Sequence, residues 1–506
     1  MSNLLISTGV RAAAERSPDK IALHCAGGAR SYRDLARRIG ALGWLARTRL
    51  GLARGERVAL LAPNCIEYIE WVCGLSEAGV IVATLNPRSA GPEVLAACRD
   101  CAARALVFHP QLASLVAALD WAEAPTVRER LRIDWADVDA AAAAGRELPS
   151  IDVKTEDPFA LVYSSGTTGR PKGIVLPHRS RVQTFHAMAR EYGCFGAEDR
   201  FLAVAPLAHG AGFAFALAPL WFGGYVEILP RFDAAQVLDK LAHGGFTGVF
   251  LVPTHFHSLF ALPHESLDSC RGRFGTLRAI ISNAAALPQA TKERIVEYFG
   301  PGLLHESYGS TEAGIVTNLR PADQLTTRQC VGAPFGDNEI RLLDDSGREV
   351  GVGEVGELYS RSSYLFSGYW QNEAETRAAV RDGWVSAGDL ARRDARGLYY
   401  IVDRKKDMVI SGGINIYPRE IEEVLQQHPD VREAAVIGVP DPRWGERLRA
   451  FIVTRAGPAD PSDEALIEFC RGRLADYKIP REFRRLSALP RNVGGKVLKG
   501  ELRRLG

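Results

Sequence analysis

Short apolar runs alternate with segments of helical periodicity, and this alternation limits the fold more than any other feature. The runs occupy 58–61, 80–85, 105–108, 202–205, 225–229, 248–252 and 277–282. Strands alternating with helices favour a mostly parallel sheet covered by helices. The chain is therefore read as α/β. Its 506 residues are enough to bury several cores, and length alone predicts two to four domains. The Ala-rich segment 140–147, followed by Pro149, reads as a helix end or a linker, with a subdomain seam expected near 150.

After residue 330 the texture changes to glycine-punctuated β patterns such as IRLLDDSGREV and GELYSRS, which suggest hairpins. A second change comes at DRKKD, where five charged residues crowd between Ile401 and Met408 and mark the preferred linker. Beyond it, Pro418 can open a helix whose Ile421, Val424 and Leu425 share one face and which Pro429 stops. Segments 434–439 and 451–453 read as strands and 464–470 as a helix, a compact α+β unit. The expected division is a large N-terminal domain over 1–403, made of helix-covered sheets plus a β-rich subdomain, and a small C-terminal domain over 404–506.

Composition excludes several classes. With 46% hydrophobic and 24% charged residues the chain is an ordinary globular one. Its 62 basic and 60 acidic side chains leave a net charge of +2, which gives no global reason to expect nucleic acid or a membrane surface as a partner. The stretch from Lys478 onward is basic, with nine Lys or Arg against two Glu, and reads either as a solvated tail or as an anion-binding one. Nine cysteines at irregular spacing suit a reducing compartment, and Cys98-x-x-Cys101 sits in a helical pattern with no second pair at zinc spacing. The N-terminal stretch lacks the apolar core of a signal peptide, and the most apolar segment, 211–224, is too short to span a bilayer and contains Pro219. A cytoplasmic location is expected.

The segment YSSGTTGRPKG at 163–173 concentrates small and hydroxyl residues ahead of Lys172. Small residues let backbone N–H groups approach a phosphate, hydroxyls add donors, and the lysine adds charge. The alternative is a Ser/Gly linker. It is not a Walker loop, since G-x-x-x-x-G-K-[ST] is absent and Pro171 precedes the lysine. Both flanks are strand-like, so the loop is expected to join two strands and to depend on its own donors.

YSSGTTGRPKG resembles the signature loop of the adenylate-forming (AMP-binding) superfamily, in its acyl-CoA and aryl-CoA synthetase branch. Further motifs follow in that family's order: PLAHGAG at 206–212, YGSTE at 308–312, GWVSAGDL at 383–390, DRKKDMVISGGINI at 403–416 and GGKVLKGELR at 494–503. LNPR at 85–88 extends the match toward the N-terminus.

The resemblance implies an ATP-dependent acid:CoA ligase that uses ATP, Mg2+ and coenzyme A and acts on a small-molecule carboxylic acid. It assigns phosphate contacts to Ser164, Ser165, Gly166, Thr167, Thr168, Gly169, Lys172 and Thr311. Glu312, with Thr168, would hold magnesium. Ser307, Tyr308 and Gly309, with Asn283, Ala284 and Ala285, would line the adenine side. Asp389 would accept the ribose hydroxyls, and Arg404 would meet the same ribose. Lys496 corresponds to the catalytic lysine that bridges acyl carboxylate and phosphate, where charge develops in the transition state. The family swings its mobile C-terminal domain about one linker residue, here Lys406. Lys496 then departs as the loop at Gly412 and Gly413 arrives beside the pantetheine. Trp444, Tyr477 and Arg481 match positions that hold the CoA nucleotide in some relatives.

His209 resembles the residue that gates the carboxylate end of the acid site, where a neutral imidazole can donate; a core histidine is the alternative. Motif register places Gly210, Ala211, Phe250, Asn283, Ser307, Gly314 and Ile315 around the acid. Most are small, which favours a bulky aryl, arylpropenoic, alicyclic or longer-chain acid. The family often carries Gly-Gly-Ala or Gly-Ala-Ala where this chain has Asn283-Ala284-Ala285. That asparagine would either bond a polar group of the substrate or tie down its own loop. Two rival readings share much of the pattern: an adenylation enzyme loading a carrier protein, and a non-catalytic nucleotide-binding module. Amino-acid-activating relatives carry an Asp near the start of the pocket, which His209 to Gly212 does not supply. A homodimer is compatible with the sequence.

Overall fold

The computed structural model describes residues 3–150, 152–164, 172–412, 414–455, 460–491 and 497–505. The chain forms two compact units, Met1–Glu339 with Ser360–Val385, and Ile340–Tyr359 with Ser386–Gly506.

The first unit contains two sheets. One runs in the order Gly368–Tyr369, Lys172–Pro177, Pro158–Ser164, Ile81–Leu85, Arg57–Leu61, Ala105–Phe108, Glu129–Arg132. Its last five strands are mutually parallel. The connection from Arg57–Leu61 to Ile81–Leu85 is helix Ile66–Glu77, in which every residue but Glu67 is buried. The second sheet places Ile21–Cys25, Tyr225–Ile228, Arg200–Ala203, Gly248–Leu251, Ala279–Ser282 and Leu304–Ser310 side by side in parallel. Helices Ala234–His243, Pro253–Phe260 and Gln289–Phe299 pack on it around Phe246, Phe256 and Ile280. All seven apolar runs of the sequence are strands in these two sheets, with ends displaced by two residues at most.

The seam expected near 150 is corrected by the pairing. Strand Pro158–Ser164 lies parallel to Ile81–Leu85, so one sheet draws strands from both sides of it. The Ala-rich segment straddles the end of helix Ala136–Ala143, whose Val138 and Ala141 are buried. The segment thus takes the helix-end reading: of 140–147 only Ala141 is buried, and the rest is intermediate or exposed.

In the second unit, strand Trp384–Arg393 pairs antiparallel with Tyr399–Arg404, setting Asp389 opposite Arg404. Residues 386–403 group with those that follow in this compact unit. Further on, Val431–Asp441 and Gly445–Thr454 form a long antiparallel pair, with Glu482–Arg485 parallel to the latter. Side chains alternate along them. Ala434, Val436, Leu448 and Ala450 meet Ile421 and Leu425 of helix Pro418–Leu425 and Leu466 of Asp463–Cys470. Ala435, Ile437 and Phe451 face Leu489 and Leu502 on the other side.

Candidate functional site

The segment expected to bind phosphate is flanked by the two strands of a hairpin. Strands Pro158–Ser164 and Lys172–Pro177 pair antiparallel, with Ser164 opposite Lys172 and Tyr163 opposite Gly173. Ser165, Gly166, Thr167, Thr168 and Gly169 lie outside the described residues, as does the side chain of Ser164. Where the second strand begins, Lys172 makes an ion pair with Glu375 and lies 5.5 Å from the ring centre of Tyr369. The Tyr369 hydroxyl donates to Glu312 Oε1 at 2.9 Å. Burial, and then the two carboxylates, push that phenol far above its ordinary value, so it stays a donor. Neither Tyr369 nor Glu375 was found from sequence; each is far from its partner along the chain, and no local pattern announces them.

Glu312 stands in a tight turn. It joins strands Leu304–Ser310 and Gly314–Leu319, which pair antiparallel with Ser310 opposite Gly314. Two glycines make the turn sterically feasible. A Cβ on Gly309 would lie 2.0 Å from the Gly314 carbonyl oxygen. Gly314 has φ +70°, and a Cβ there would sit 2.8 Å from Cβ of Tyr364. Thr311 shares the turn with Glu312, and Tyr308 lies half-buried on the incoming strand. Ser307 is buried, and its Oγ is 2.6 Å from the Tyr192 hydroxyl and donates to Asn318 Oδ1 at 3.2 Å. Those bonds occupy it within the fold.

His209 precedes helix Gly210–Trp221 and lines a cavity with Thr84, Val162, Leu176, Arg181 and Gly210. Burial pulls its imidazole below the ordinary value, which favours the neutral form, and Asn86 Nδ2 lies 3.4 Å from its Nε2. Of the acid-pocket positions expected from register, this cavity gathers His209 and Gly210. Ala211 is exposed, and Phe250 stacks on Phe215 at 4.3 Å inside the core. Ile315 is buried on the strand after the Glu312 turn. Asn283 Oδ1 accepts the N–H of Ala284, so the asparagine ties its own loop; Ala284 and Ala285 are exposed. Arg181 was missed because a single arginine in a helical segment reads as solvated.

In the second unit, Arg404 Nε bonds Asp389 Oδ1 at 2.9 Å, and Asp389 is buried. Lys406 follows directly after this hairpin; burial first, then the charges of Arg404 and Arg503, lower its ammonium below the ordinary value. Gly412 donates its N–H to the Trp444 carbonyl at 2.8 Å, and a Cβ on it would meet the indole at 2.9 Å. Trp444 and Tyr477 are exposed, and Arg481 pairs with Asp476 at 2.9 Å. Gly413 and Lys496 lie outside the described residues.

A lysine, a carboxylate on a tight turn and an imidazole held toward its neutral form beside a cavity together suit chemistry on an anionic substrate. Comparison with known proteins agrees with this arrangement. The family model described as AMP-binding enzyme matches residues 10–370, and that of the AMP-binding enzyme C-terminal domain matches 420–496. The chain is 36% identical over 498 residues to feruloyl-CoA synthase of an Amycolatopsis species, covering 97% of each chain. It is 32% identical to a long-chain-fatty-acid–CoA ligase of Mycobacterium tuberculosis, covering 90% of this chain and 89% of the relative. The solved structure of ATP-bound MatB from Rhodopseudomonas palustris superposes with a TM-score of 0.89 at 29% identity, covering 100% of this chain and 99% of that one. With matches spanning both of its parts, the chain belongs to the AMP-binding enzyme family.

Proposed function

We propose that the protein is an ATP-dependent carboxylic acid:CoA ligase. In the first half-reaction a carboxylate oxygen attacks the α-phosphorus of ATP, forming acyl-AMP and releasing pyrophosphate. In the second, the CoA sulfur attacks the acyl carbonyl and AMP leaves. The observation that carries this reading is the linked set Lys172, Tyr369 and Glu312, which couples the strand leaving the phosphate loop to the turn bearing the carboxylate.

Two anions must meet in the first step, so the residues needed are cations and donors. Lys172 serves the phosphates. Lys496 bridges acid and phosphate, and His209, neutral at physiological pH, donates to the acid's oxygen. Glu312 suits a hard cation with few protein ligands. Its Oε1 takes the Tyr369 bond, and no group of three or more metal-binding side chains exists among the described residues. Magnesium, when bound, would neutralise phosphate charge there. Asp389 takes the ribose hydroxyls beside Arg404, and Lys406 is the pivot between the half-reactions, dividing the chain functionally at 403/404. Gly412, Trp444, Tyr477 and Arg481 serve the CoA side.

The acid is aryl, arylpropenoic, alicyclic or medium-to-long-chain, which accords with the feruloyl and long-chain fatty acids in the relatives' names. No helix among the described residues is long and apolar enough to cross a membrane. Nine buried cysteines, all free, accord with action in the cytoplasm.

Pyrophosphate release with a panel of such acids, with and without CoA, tests the reading. Acid-dependent release followed by CoA-dependent thioester formation is expected, and release independent of every acid would overturn it. Lys496→Ala should abolish adenylate formation and spare thioester formation from supplied acyl-adenylate. Equal loss of both would refute the two-pose assignment.

A further inference from the structure

A guanidinium taken out of water is costly unless a carboxylate answers it. Arg181 sits in the first turn of helix His178–Tyr192, is 4% exposed, and pairs with no acidic side chain among the described residues. The residues outside that set include no Asp or Glu. Its Nε is buried without a hydrogen-bond partner. Burial lowers it to about 10, so it still carries its charge at neutral pH.

The guanidinium faces the cavity of His209. A Cβ on Gly210 would lie 3.1 Å from Arg181 Nη2 and 3.8 Å from Thr311 Cγ2, so the absence of a side chain at 210 leaves open the space that both border. Phe159, Val162, Leu176 and Phe213 supply apolar wall. A positive charge that meets no carboxylate among the described residues, in a mostly apolar cavity beside a neutral imidazole, is complementary to an anion with an apolar body. A planar guanidinium fits a carboxylate through two parallel bonds.

We propose that Arg181 recognises a carboxylate of the acid substrate and thereby contributes to acid selectivity. This rests on the ligase reading and adds a residue that the motif positions do not include. The carboxylate is either the reacting one or a second one at the far end of a diacid.

The test uses the full chain as wild type, Arg181→Leu and Arg181→Lys. Binding of benzoate, terephthalate, octanoate and octanedioate is measured by calorimetry without ATP, and KM for acid and for ATP is measured from pyrophosphate release. Arg181→Leu should weaken acid binding and raise KM for the acid by about tenfold to a hundredfold, with KM for ATP within about twofold. Lysine should recover part of the loss, and the leucine variant should melt at a higher temperature because an unanswered charge has gone. Equal weakening for all four acids identifies the reacting carboxylate, and weakening confined to the diacids identifies the second. The proposal is overturned if no acid binds the wild type more tightly than the leucine variant, if the two KM values rise together, or if the melting temperature falls. An active wild type with an unchanged leucine variant defeats this assignment alone; acid binding without acid-dependent pyrophosphate release defeats the ligase reading alone.

Discussion

Two cationic side chains of the first unit are almost equally buried and are treated in opposite ways. Lys292, 2% exposed on helix Gln289–Phe299, makes an ion pair with Glu306, whose carboxylate also accepts the Leu287 N–H at 3.0 Å. Arg181, 4% exposed, meets no carboxylate among the described residues and borders a cavity. Lys292 holds a helix to a strand, and everything it needs is supplied by the fold. Arg181 carries a desolvation cost that no carboxylate among the described residues offsets, which is how a group waiting for a ligand differs from one that serves architecture.

The largest expected effect tests the paired member. Lys292→Met strands the Glu306 carboxylate in the interior and should cost about 3–5 kcal/mol in denaturant unfolding. Adding Glu306→Gln, which keeps an acceptor for Leu287, should recover most of that loss. A single variant no worse than a surface substitution would break the comparison. The opposite sign is expected at Arg181. Leucine there should raise stability on the order of 2–3 kcal/mol, in line with the burial that holds its guanidinium near 10.

A third buried group separates the effect of charge from that of burial. His178, in the same helical turn as Arg181, is 0% exposed; its Nδ1 accepts the Ile6 N–H at 3.1 Å, and burial lowers it to about 3. An unfolded histidine titrates near 6.5, so below that pH the unfolded chain takes up a proton that the folded chain refuses. Stability is therefore undiminished above 6.5 and falls as the pH drops toward 3, by about 1.4 kcal/mol per pH unit, or about 2 kcal/mol at pH 5. His178→Asn, which keeps an acceptor for Ile6, should remove this share of the slope. Unfolding curves from pH 7 to pH 4 measure it, and equal slopes for both proteins would show that His178 is not held neutral.

The paired and unpaired charges also show what sequence can convey. The buried strands were legible because runs such as Val58 to Leu61 and Gly248 to Val252 are apolar throughout and alternate with helical segments, and Pro418 marked its helix through its missing N–H. The loop at 165–171 was legible as a connection between two strands because both flanks, 160–163 and 174–176, are short apolar runs. Arg181 was not legible, because its burial depends on the segment 207–213 folding over it, and its neighbours Ser180 and Val182 give no sign of that. Tyr369 and Glu375 escaped for the same reason: they reach Glu312 and Lys172 through strand Gly368–Tyr369, which pairs across the sheet with Lys172–Pro177. Phe250 and Ser307, placed near the acid by register, are taken up by Phe215 and by Tyr192 with Asn318. Motif spacing conveys position along the chain but not which neighbour claims a side chain.

The smallest expected effect sharpens the contrast between a side chain that serves a ligand and one that serves its own loop. Ala284 holds φ +79°, a left-handed conformation that costs an alanine about 1–2 kcal/mol, and Asn283 spans it by accepting its N–H. Ala284→Gly removes the steric penalty but adds about 0.5–1 kcal/mol of backbone entropy cost, so stability should rise by less than about 1 kcal/mol. KM for the acid should stay within about twofold of the wild type, because the Asn283 oxygen is already engaged within its own loop. A KM shift as large as that of Arg181→Leu would place Asn283 on the substrate after all. Unchanged KM with the small stability gain would leave Arg181, whose buried Nε has no hydrogen-bond partner, as the side chain that answers the acid.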